Sequence, residues 1–188
     1  MKNFKRNITI SFMGVDGSGK STLIKKIIKK KYKKFEVVKY LHLRPYLFLI
    51  NKITVNKNPH EKNLLHPVLS FLKIYIWLIM YKLFYFFNSF KKNKLIIFDR
   101  YAHDLLIDRV RYRHNLSSKL TRSILKFFPE PDLWVFLKAP INIIEKRKRE
   151  LPRKELQSQI KKYTEFARTR NNVLLLNTRK KINNNVSL

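Results

Sequence analysis

The stretch that decides the fold is GVDGSGKST, residues 14–22. The chain has 188 residues and three glycines, and all three glycines lie in this stretch. It fits the pattern Gly-x-x-x-x-Gly-Lys-Ser, a loop whose backbone curls around a phosphate with its N–H groups pointing inward. Side chains at the glycine positions would obstruct that path. A β-rich run precedes the loop and an amphipathic pattern follows it, so the stretch predicts a nucleotide-phosphate site between a strand and a helix.

The loop pattern predicts a role for each of its polar residues. Lys20 would reach the β- and γ-phosphates, and the hydroxyl of Ser21 would ligate magnesium. The N-terminal end of the following helix would add further positive charge. We therefore expect ATP and Mg²⁺ as cofactors, with the nucleotide bound by Gly14, Val15, Asp16, Gly17, Ser18, Gly19, Lys20, Ser21 and Thr22.

Apolar segments alternate between strand-like and helix-like patterns along the chain. This alternation is typical of an α/β fold, with a parallel sheet covered on both faces. No repeat or linker divides the chain, so we expect one domain over residues 1–178 and a polar tail at 179–188. The strand-like runs are 8–13, 35–43, 94–99, 132–137 and 172–177, and the helix-like runs are 21–34, 66–90, 141–151 and 154–169.

The segment 66–90 is long and apolar enough to raise the question of a membrane. Lys73 and Lys82 interrupt it, and a span would cut an α/β sheet in two. We therefore expect a buried or partly interfacial core helix, and peripheral membrane contact stays open as the alternative.

The net charge of +30 suggests nucleic acid as a partner. However, the basic residues are spread along the chain rather than set on one stripe, and Lys, Asn and Ile are all abundant, as AT-rich codons would produce. We therefore do not expect nucleic acid as a partner. The absence of cysteine excludes a disulfide scaffold and thiolate metal sites, and it fits a cytoplasmic location.

An acidic and a basic residue lie together where the run 94–99 ends. Asp99 would face the crevice at the carboxyl edge of the sheet, where it could hold magnesium or its water. Alternatively, Asp99 caps the turn that follows the strand. The planar guanidinium of Arg100 suits a pair of phosphate oxygens.

Four stretches carry a resemblance to a known family: GVDGSGKST, FDRY at 98–101, PDLWVFLKAP at 131–140 and the basic run at 147–153. Over roughly residues 7–178 the chain resembles the thymidylate kinases, small P-loop kinases of nucleoside monophosphates. Within that family it looks most like the thymidylate kinase-like proteins found with bacterial surface-polysaccharide genes, whose pattern resembles DRYAHDLLIDRVRYR at 99–113.

This resemblance implies a three-layer P-loop fold with about five parallel strands in the order 2-3-1-4-5 and a short lid at about 147–155. It also implies ATP-dependent phosphoryl transfer to a small-molecule acceptor such as dTMP. In the family, Asp16 would contact the acceptor's sugar hydroxyl, and Arg100 would hold its phosphate. Further implied acceptor residues are Arg44 and Tyr101, the implied lid arginines are Arg147, Arg149 and Arg153, and Asn177 and Thr178 would meet the adenine.

The chain also departs from the family. The arginine that contacts thymine would fall near Leu78, and no arginine occurs between Arg44 and Arg100. Asp104 and Asp108 are four residues apart, so on a helix they would share a face. With Arg109, Arg111 and Arg113 they form either a salt-bridged base for the lid or contacts with the acceptor. The alternative interpretation of the predicted lid run is a solvated helix face.

Because of these departures the acceptor stays open. A sugar or a lipid-linked polysaccharide intermediate is the second interpretation. A non-enzymatic, nucleotide-gated module that binds nucleic acid or a membrane through its charge is the third. A homodimer is also left open.

Overall fold

The computed structural model describes residues 6–30, 34–45, 63–90, 92–148 and 151–178. The strands are β1 (Ile8–Met13), β2 (Val37–His42), β3 (Lys94–Asp99), β4 (Leu133–Lys138) and β5 (Val173–Asn177). The α-helices are α1 (Lys20–Lys29), α2 (Pro67–Ser89), α3 (Ser118–Leu125), α4 (Ile141–Arg147) and α5 (Arg153–Arg168), and a 3₁₀ helix spans Ala102–Leu106. The predicted tail at 179–188 lies outside the described residues.

The five strands form one parallel sheet in the order β2-β3-β1-β4-β5, which confirms the predicted fold class and strand order. The central strand β1 is almost entirely buried because helices cover both faces of the sheet. On one face Ile10 and Phe12 pack with Leu23 of α1. On the other face Met13 belongs to a larger core that includes Trp77 of α2 and residues of α5.

All strands run in the same direction, so their carboxyl ends meet at one edge of the sheet. The glycine loop follows β1 at this edge, Asp99 ends β3, and Thr178 follows β5 directly. The backbone N–H of Thr178 donates to the carbonyl oxygen of Lys138 at 2.8 Å, which ties the end of β5 to the end of β4. The sheet therefore gathers residues from across the whole chain into one crevice.

Helix α2 accounts for the long apolar segment. It begins with a proline in its first turn, and the His66 ring accepts a hydrogen bond from the Val68 N–H at 3.4 Å. One face, with Ile74, Trp77 and Tyr81, is buried against the sheet, in agreement with the predicted core helix. The opposite face is exposed and apolar, and we call it the α2 stripe: Val68, Leu69, Phe71, Leu72, Tyr75, Ile76, Ile79, Phe86 and Phe87.

By length and composition alone, α2 could also cross a membrane. Core helices of globular proteins pass the same test. In α2, 39% of the most apolar part of the helix is buried. By this criterion α2 fits either a membrane helix or the core helix of a globular protein.

One local prediction differs from the structure, and one helix was not predicted. Asp104 and Asp108 do not share a helix, because the 3₁₀ helix ends at Leu106 and Asp108 lies in the turn beyond it. There the Asp108 carboxylate accepts a hydrogen bond from the Arg111 N–H at 3.0 Å, a side-chain cap that competes with helix continuation. Helix α3 was not predicted, although Ser117 supplies a helix N-cap by accepting from the Leu120 N–H at 3.2 Å.

Candidate functional site

The loop after β1 has a backbone that only glycine adopts without strain. All three glycines have positive φ angles. At Gly14, where φ is 140°, an added Cβ would lie 2.7 Å from the carbonyl oxygen of Leu137 in β4. Any larger residue would therefore force β1 and β4 apart at the site. This close approach explains the glycine at position 14, and the positive φ angles explain the other two.

Lys20 closes the loop from the first turn of α1. Its ammonium group donates hydrogen bonds to the carbonyl oxygens of Gly14 at 2.6 Å and Val15 at 2.8 Å. Burial, together with the positive charge of Arg100, lowers the pKa of Lys20 to about 8. An anionic phosphate at the loop would reverse that effect, so the site is electrostatically prepared for one. Ser21 and Thr22 lie exposed at the start of α1, beside the loop.

Asp99 presents a partly unsatisfied carboxylate at the end of β3. Oδ2 accepts a hydrogen bond from the Tyr40 hydroxyl at 3.1 Å and faces Nδ1 of His42 at 3.8 Å. Within the described residues, Oδ1 is buried and has no hydrogen-bond partner. Burial by itself would raise the pKa of Asp99, but His42 and Lys20, with Arg100, outweigh it and hold the pKa below its usual value.

An ionised carboxylate with such an oxygen fits a magnesium ion that takes its other ligands from phosphates and water. Within the part of the chain that the structure describes, no cluster of three or more acidic or histidine side chains forms a metal cage. Asp99 and the exposed hydroxyl of Ser21 are the predicted residues that would hold such an ion.

Asp16, inside the loop, is surrounded by cations. It forms ion pairs with both Arg100 and Arg111, the latter at 2.6 Å, and the Lys20 and Lys148 ammonium groups lie 3.8 and 3.9 Å away. These four cations come from different parts of the fold. The sequence predicted Asp16 and Arg100 as site residues but did not pair Arg111 with Asp16. Lys148 lay in the predicted lid run but was not singled out. This excess of positive charge suits an anionic ligand beside the loop.

Arg100 reaches Asp16 because its backbone turns sharply after β3. Its φ is 73°, a left-handed conformation that is unfavourable for a residue with a Cβ. The backbone N–H of Arg100 donates to the carbonyl oxygen of Phe12 at 2.9 Å, which holds this turn against β1. The guanidinium then points to the glycine loop.

Tyr101 was predicted to contact the acceptor, and Asp104 either to contact it or to form a salt-bridged base for the lid. The structure places both side chains in the core. Both are fully buried, at 0% exposure. The Tyr101 hydroxyl donates to the carbonyl oxygen of Pro129 at 2.6 Å, and its ring packs against Trp134. The carboxylate of Asp104 pairs with Arg100 at 2.8 Å. This corrects both predicted acceptor contacts, because neither side chain has a surface that an acceptor can reach in this arrangement.

Arg44 lies by a tryptophan rather than by an acid. Its guanidinium carbon is 5.4 Å from the centroid of the Trp77 ring, and Nζ of Lys73 is 5.5 Å from the same ring. Lys73 also donates to the carbonyl oxygen of Tyr112 at 2.5 Å. Burial lowers the pKa of Lys73 to about 8, with Arg44 and Arg113 adding to the effect. Leu78 is buried next to Trp77 along α2.

The predicted lid arginines do not lie together. Arg147 donates to the carbonyl oxygens of Gly17 and Thr178, both at 3.3 Å, so it bridges the loop and the end of β5. Arg153 instead contacts Glu145 at 3.3 Å and Asn142 at 3.1 Å, on the outer side of the α4–α5 junction. Arg149 lies outside the described residues.

The two residues predicted to meet the adenine lie at the same edge of the sheet. The Thr178 hydroxyl donates to the carbonyl oxygen of Ser18 at 2.7 Å, which joins β5 to the glycine loop. Asn177 lines a cavity of about 150 Å³ together with Val15 and Leu175. Both residues therefore lie within reach of the loop.

Comparison with known proteins agrees with this geometry. A Sulfolobus acidocaldarius protein described as a probable thymidylate kinase is 25% identical over 189 residues, covering 92% of this chain and 89% of that protein. The structure of thymidylate kinase from Ehrlichia chaffeensis superposes with a TM-score of 0.60 at 16% identity, covering 95% of this chain and 90% of that one. Deoxyadenosine kinase from M. mycoides, solved with bound dATP, superposes with a TM-score of 0.53 at 20% identity, covering 90% of each chain.

No protein-family model matches the chain. The solved structures nevertheless share its fold, and the sequence similarity extends over nearly its whole length. The chain is therefore similar in sequence to a probable thymidylate kinase over nearly its whole length, and it shares the fold of solved thymidylate kinases.

Proposed function

We propose that the chain is a phosphotransferase that passes the γ-phosphoryl group of ATP to a nucleoside monophosphate such as dTMP. The observation that carries the proposal is the position of Asp16, which lies inside the phosphate-binding loop and is paired with Arg100 and Arg111. The donor phosphates at the loop would therefore lie beside the arginines that would hold the acceptor phosphate, and Asp16 would contact the acceptor's sugar hydroxyl. The similarity to proteins named as thymidylate kinases supports the same chemistry.

Phosphoryl transfer needs alignment and charge neutralisation more than covalent help from the protein. Lys20 and the loop N–H groups would hold the donor phosphates, and Arg147, already at the loop, would cover them. Arg100 and Arg44 would hold the acceptor phosphate. Ser21 and Asp99 would hold Mg²⁺, which neutralises phosphate charge when bound. Arg149 and Arg153 would complete the lid over the site only after closure, in which Arg153 would exchange its contacts with Glu145 and Asn142 for the phosphates. Asn177 and Thr178 would border the adenine.

A second candidate acceptor is a sugar or a lipid-linked polysaccharide intermediate. It is favoured by Leu78, a buried apolar residue at the position where the family resemblance places a thymine-contacting arginine. The third interpretation, a nucleotide-gated module without turnover, is supported by the net charge of +30 alone.

The test is ADP formation by the purified protein with MgATP and a panel of acceptors: the common nucleoside monophosphates, including dTMP, and a set of sugars. Turnover with dTMP supports the leading proposal, and turnover only with sugars supports the second. ATP binding by calorimetry without turnover on any acceptor, together with salt-sensitive DNA or vesicle binding, would support the third. No heat from ATP in the presence of magnesium would contradict all three.

The proposal includes a cytoplasmic location and no nucleic-acid partner. The α2 stripe leaves two predictions open, a homodimer or peripheral contact with a membrane surface. Light scattering on the purified protein and sedimentation with anionic vesicles separate them. A Phe86→Ser, Phe87→Ser double variant, changed at two exposed positions of the stripe, should lose whichever association is observed.

A further inference from the structure

Arg100 is held between two carboxylates rather than one. Nη2 pairs with Asp16 on the side of the glycine loop, and Nη1 pairs with Asp104 at 2.8 Å on the side of the core. The two carboxylates differ in accessibility, since the side chain of Asp16 is 17% exposed and that of Asp104 is 0% exposed. A ligand in the crevice can therefore compete with Asp16 for the guanidinium, but it cannot reach Asp104.

Asp104 is itself fixed by two tyrosines from distant parts of the chain. The Tyr163 hydroxyl, on α5, donates to Oδ1 at 2.9 Å, and the Tyr112 hydroxyl donates to Oδ2 at 3.1 Å. The Tyr163 oxygen also accepts a hydrogen bond from Nη1 of Arg100 at 3.2 Å. Burial raises the pKa of both tyrosines well above its ordinary value, so both hydroxyls remain donors. Both Asp104 oxygens are thus engaged, and the carboxylate is fixed in position.

Resting on the proposed function, we propose that Asp104, locked by Tyr163 and Tyr112, is a positioning residue for Arg100. It fixes one end of the guanidinium so that the other end, Nη2, faces the crevice and can exchange Asp16 for the phosphate of the acceptor. The left-handed backbone at Arg100 brings the side chain out of β3, and Asp104 then sets its direction. Asp104 does not touch the acceptor.

The arrangement makes a distinct kinetic prediction. Removing the Asp104 charge leaves a buried guanidinium with one carboxylate, and the remaining one is Asp16, so Arg100 would pair with Asp16 more persistently. The acceptor phosphate would then compete less well for Arg100. Donor binding depends on Lys20 and the loop N–H groups, so it should change little.

The experiment compares Asp104→Asn and Tyr163→Phe with two matched controls. Asp132→Asn removes the charge from a carboxylate that accepts from the Thr9 N–H and hydroxyl, both at 2.7 Å, on the far edge of the sheet. Tyr85→Phe removes a tyrosine hydroxyl that contacts Tyr101 at 3.1 Å. We measure the KM for the acceptor, kcat, calorimetric ATP affinity and Tm for all four variants and the wild type.

We expect Asp104→Asn to raise the acceptor KM about 10- to 100-fold, the effect of losing a charged hydrogen-bond partner, with ATP affinity unchanged. Tyr163→Phe should move KM in the same direction by less, and both controls should lower Tm without changing KM. An acceptor KM for Asp104→Asn that is no higher than that of Asp132→Asn would overturn the proposal. So would a decline in ATP affinity that matches the change in KM.

Failure of the proposed function is distinguishable from failure of this inference. If the wild type transfers phosphate to no acceptor, the proposed function fails. The positioning role is then tested by calorimetric binding of dTMP and of inorganic phosphate to the same five proteins. Equal affinities for the Asp104→Asn variant and the wild type would overturn it.

Discussion

The ammonium group of Lys20 lies 2.6 Å from the carbonyl oxygen of Gly14, so the first residue of α1 contacts the first residue of the glycine loop. This hydrogen bond closes the loop into a ring around the space where the resemblance places phosphates. Because Lys20 is buried and also bonded to Val15, its charge is held in place before any nucleotide arrives. Preorganised charge of this kind lowers a barrier without reorganising during the reaction.

Replacing Lys20 by methionine should abolish most of the phosphoryl transfer while leaving the fold intact. We expect kcat to fall by about 10²- to 10³-fold, as when one preorganised donor is removed from an active site. Methionine fills the same space without a charge, so the far-UV circular dichroism should match that of the wild type. Lys25→Met, at an exposed position of α1, is the matched control and should keep full activity. Unchanged turnover in Lys20→Met would contradict the assignment.

The lowered pKa of Lys20 predicts a pH dependence with a definite sign. Its folded pKa is about 8 against an ordinary value of 10.5, so between these values the unfolded chain binds more protons than the folded one. The contribution of Lys20 to stability therefore rises from pH 8 to 10.5, while ATP affinity falls over the same range because the amine loses its charge. Denaturant unfolding and calorimetry on the wild type and Lys20→Met measure the two differences. Parallel curves for the two proteins would show that Lys20 is not the titrating group.

Asp99→Asn should weaken magnesium dependence rather than nucleotide recognition. Asparagine keeps the size and the bond to Tyr40 but removes the charge that suits a divalent cation. We expect the magnesium concentration for half-maximal activity to rise by about 10-fold or more, the range seen when metal-supporting groups are lost. Activity titrated against magnesium at saturating ATP measures this. An unshifted magnesium curve would favour a purely structural role for Asp99.

Lys73 is predicted to act on the acceptor, because it lies against Trp77 on the same ring as Arg44. Lys73→Met should raise the acceptor KM about 5- to 10-fold, the size of one cation lost from a partly buried site. ATP affinity should stay constant. Lys82→Met, at an exposed position on the same helix, is the control. If both variants behave alike, the acceptor does not approach this part of α2.

Local sequence patterns were enough to predict a parallel sheet and the glycine loop, whereas the strand order was predicted from the family resemblance. The loop has the spacing of the phosphate-binding pattern, and the apolar runs around it have the length and pattern of buried strands. Asp99 and Arg100 could be placed at the edge of the sheet because they directly end such a run. The long helix α2 could be expected from its apolar length, although its two faces could not be distinguished from composition.

The pairings inside the site could not be predicted in this way. Asp16 and Arg111 are 95 positions apart, and Tyr163 and Asp104 are 59 apart. The chain also offers 42 lysines and arginines for 12 acidic residues, so charge alone does not select partners. What selected them was the parallel sheet, which brings the ends of β1, β3 and β5 to one edge, and the burial there, which makes an unpaired charge costly. Local sequence therefore determined which segments form the site, and only the tertiary structure decided which side chains meet in it, because contact between distant residues depends on how the helices pack across the sheet.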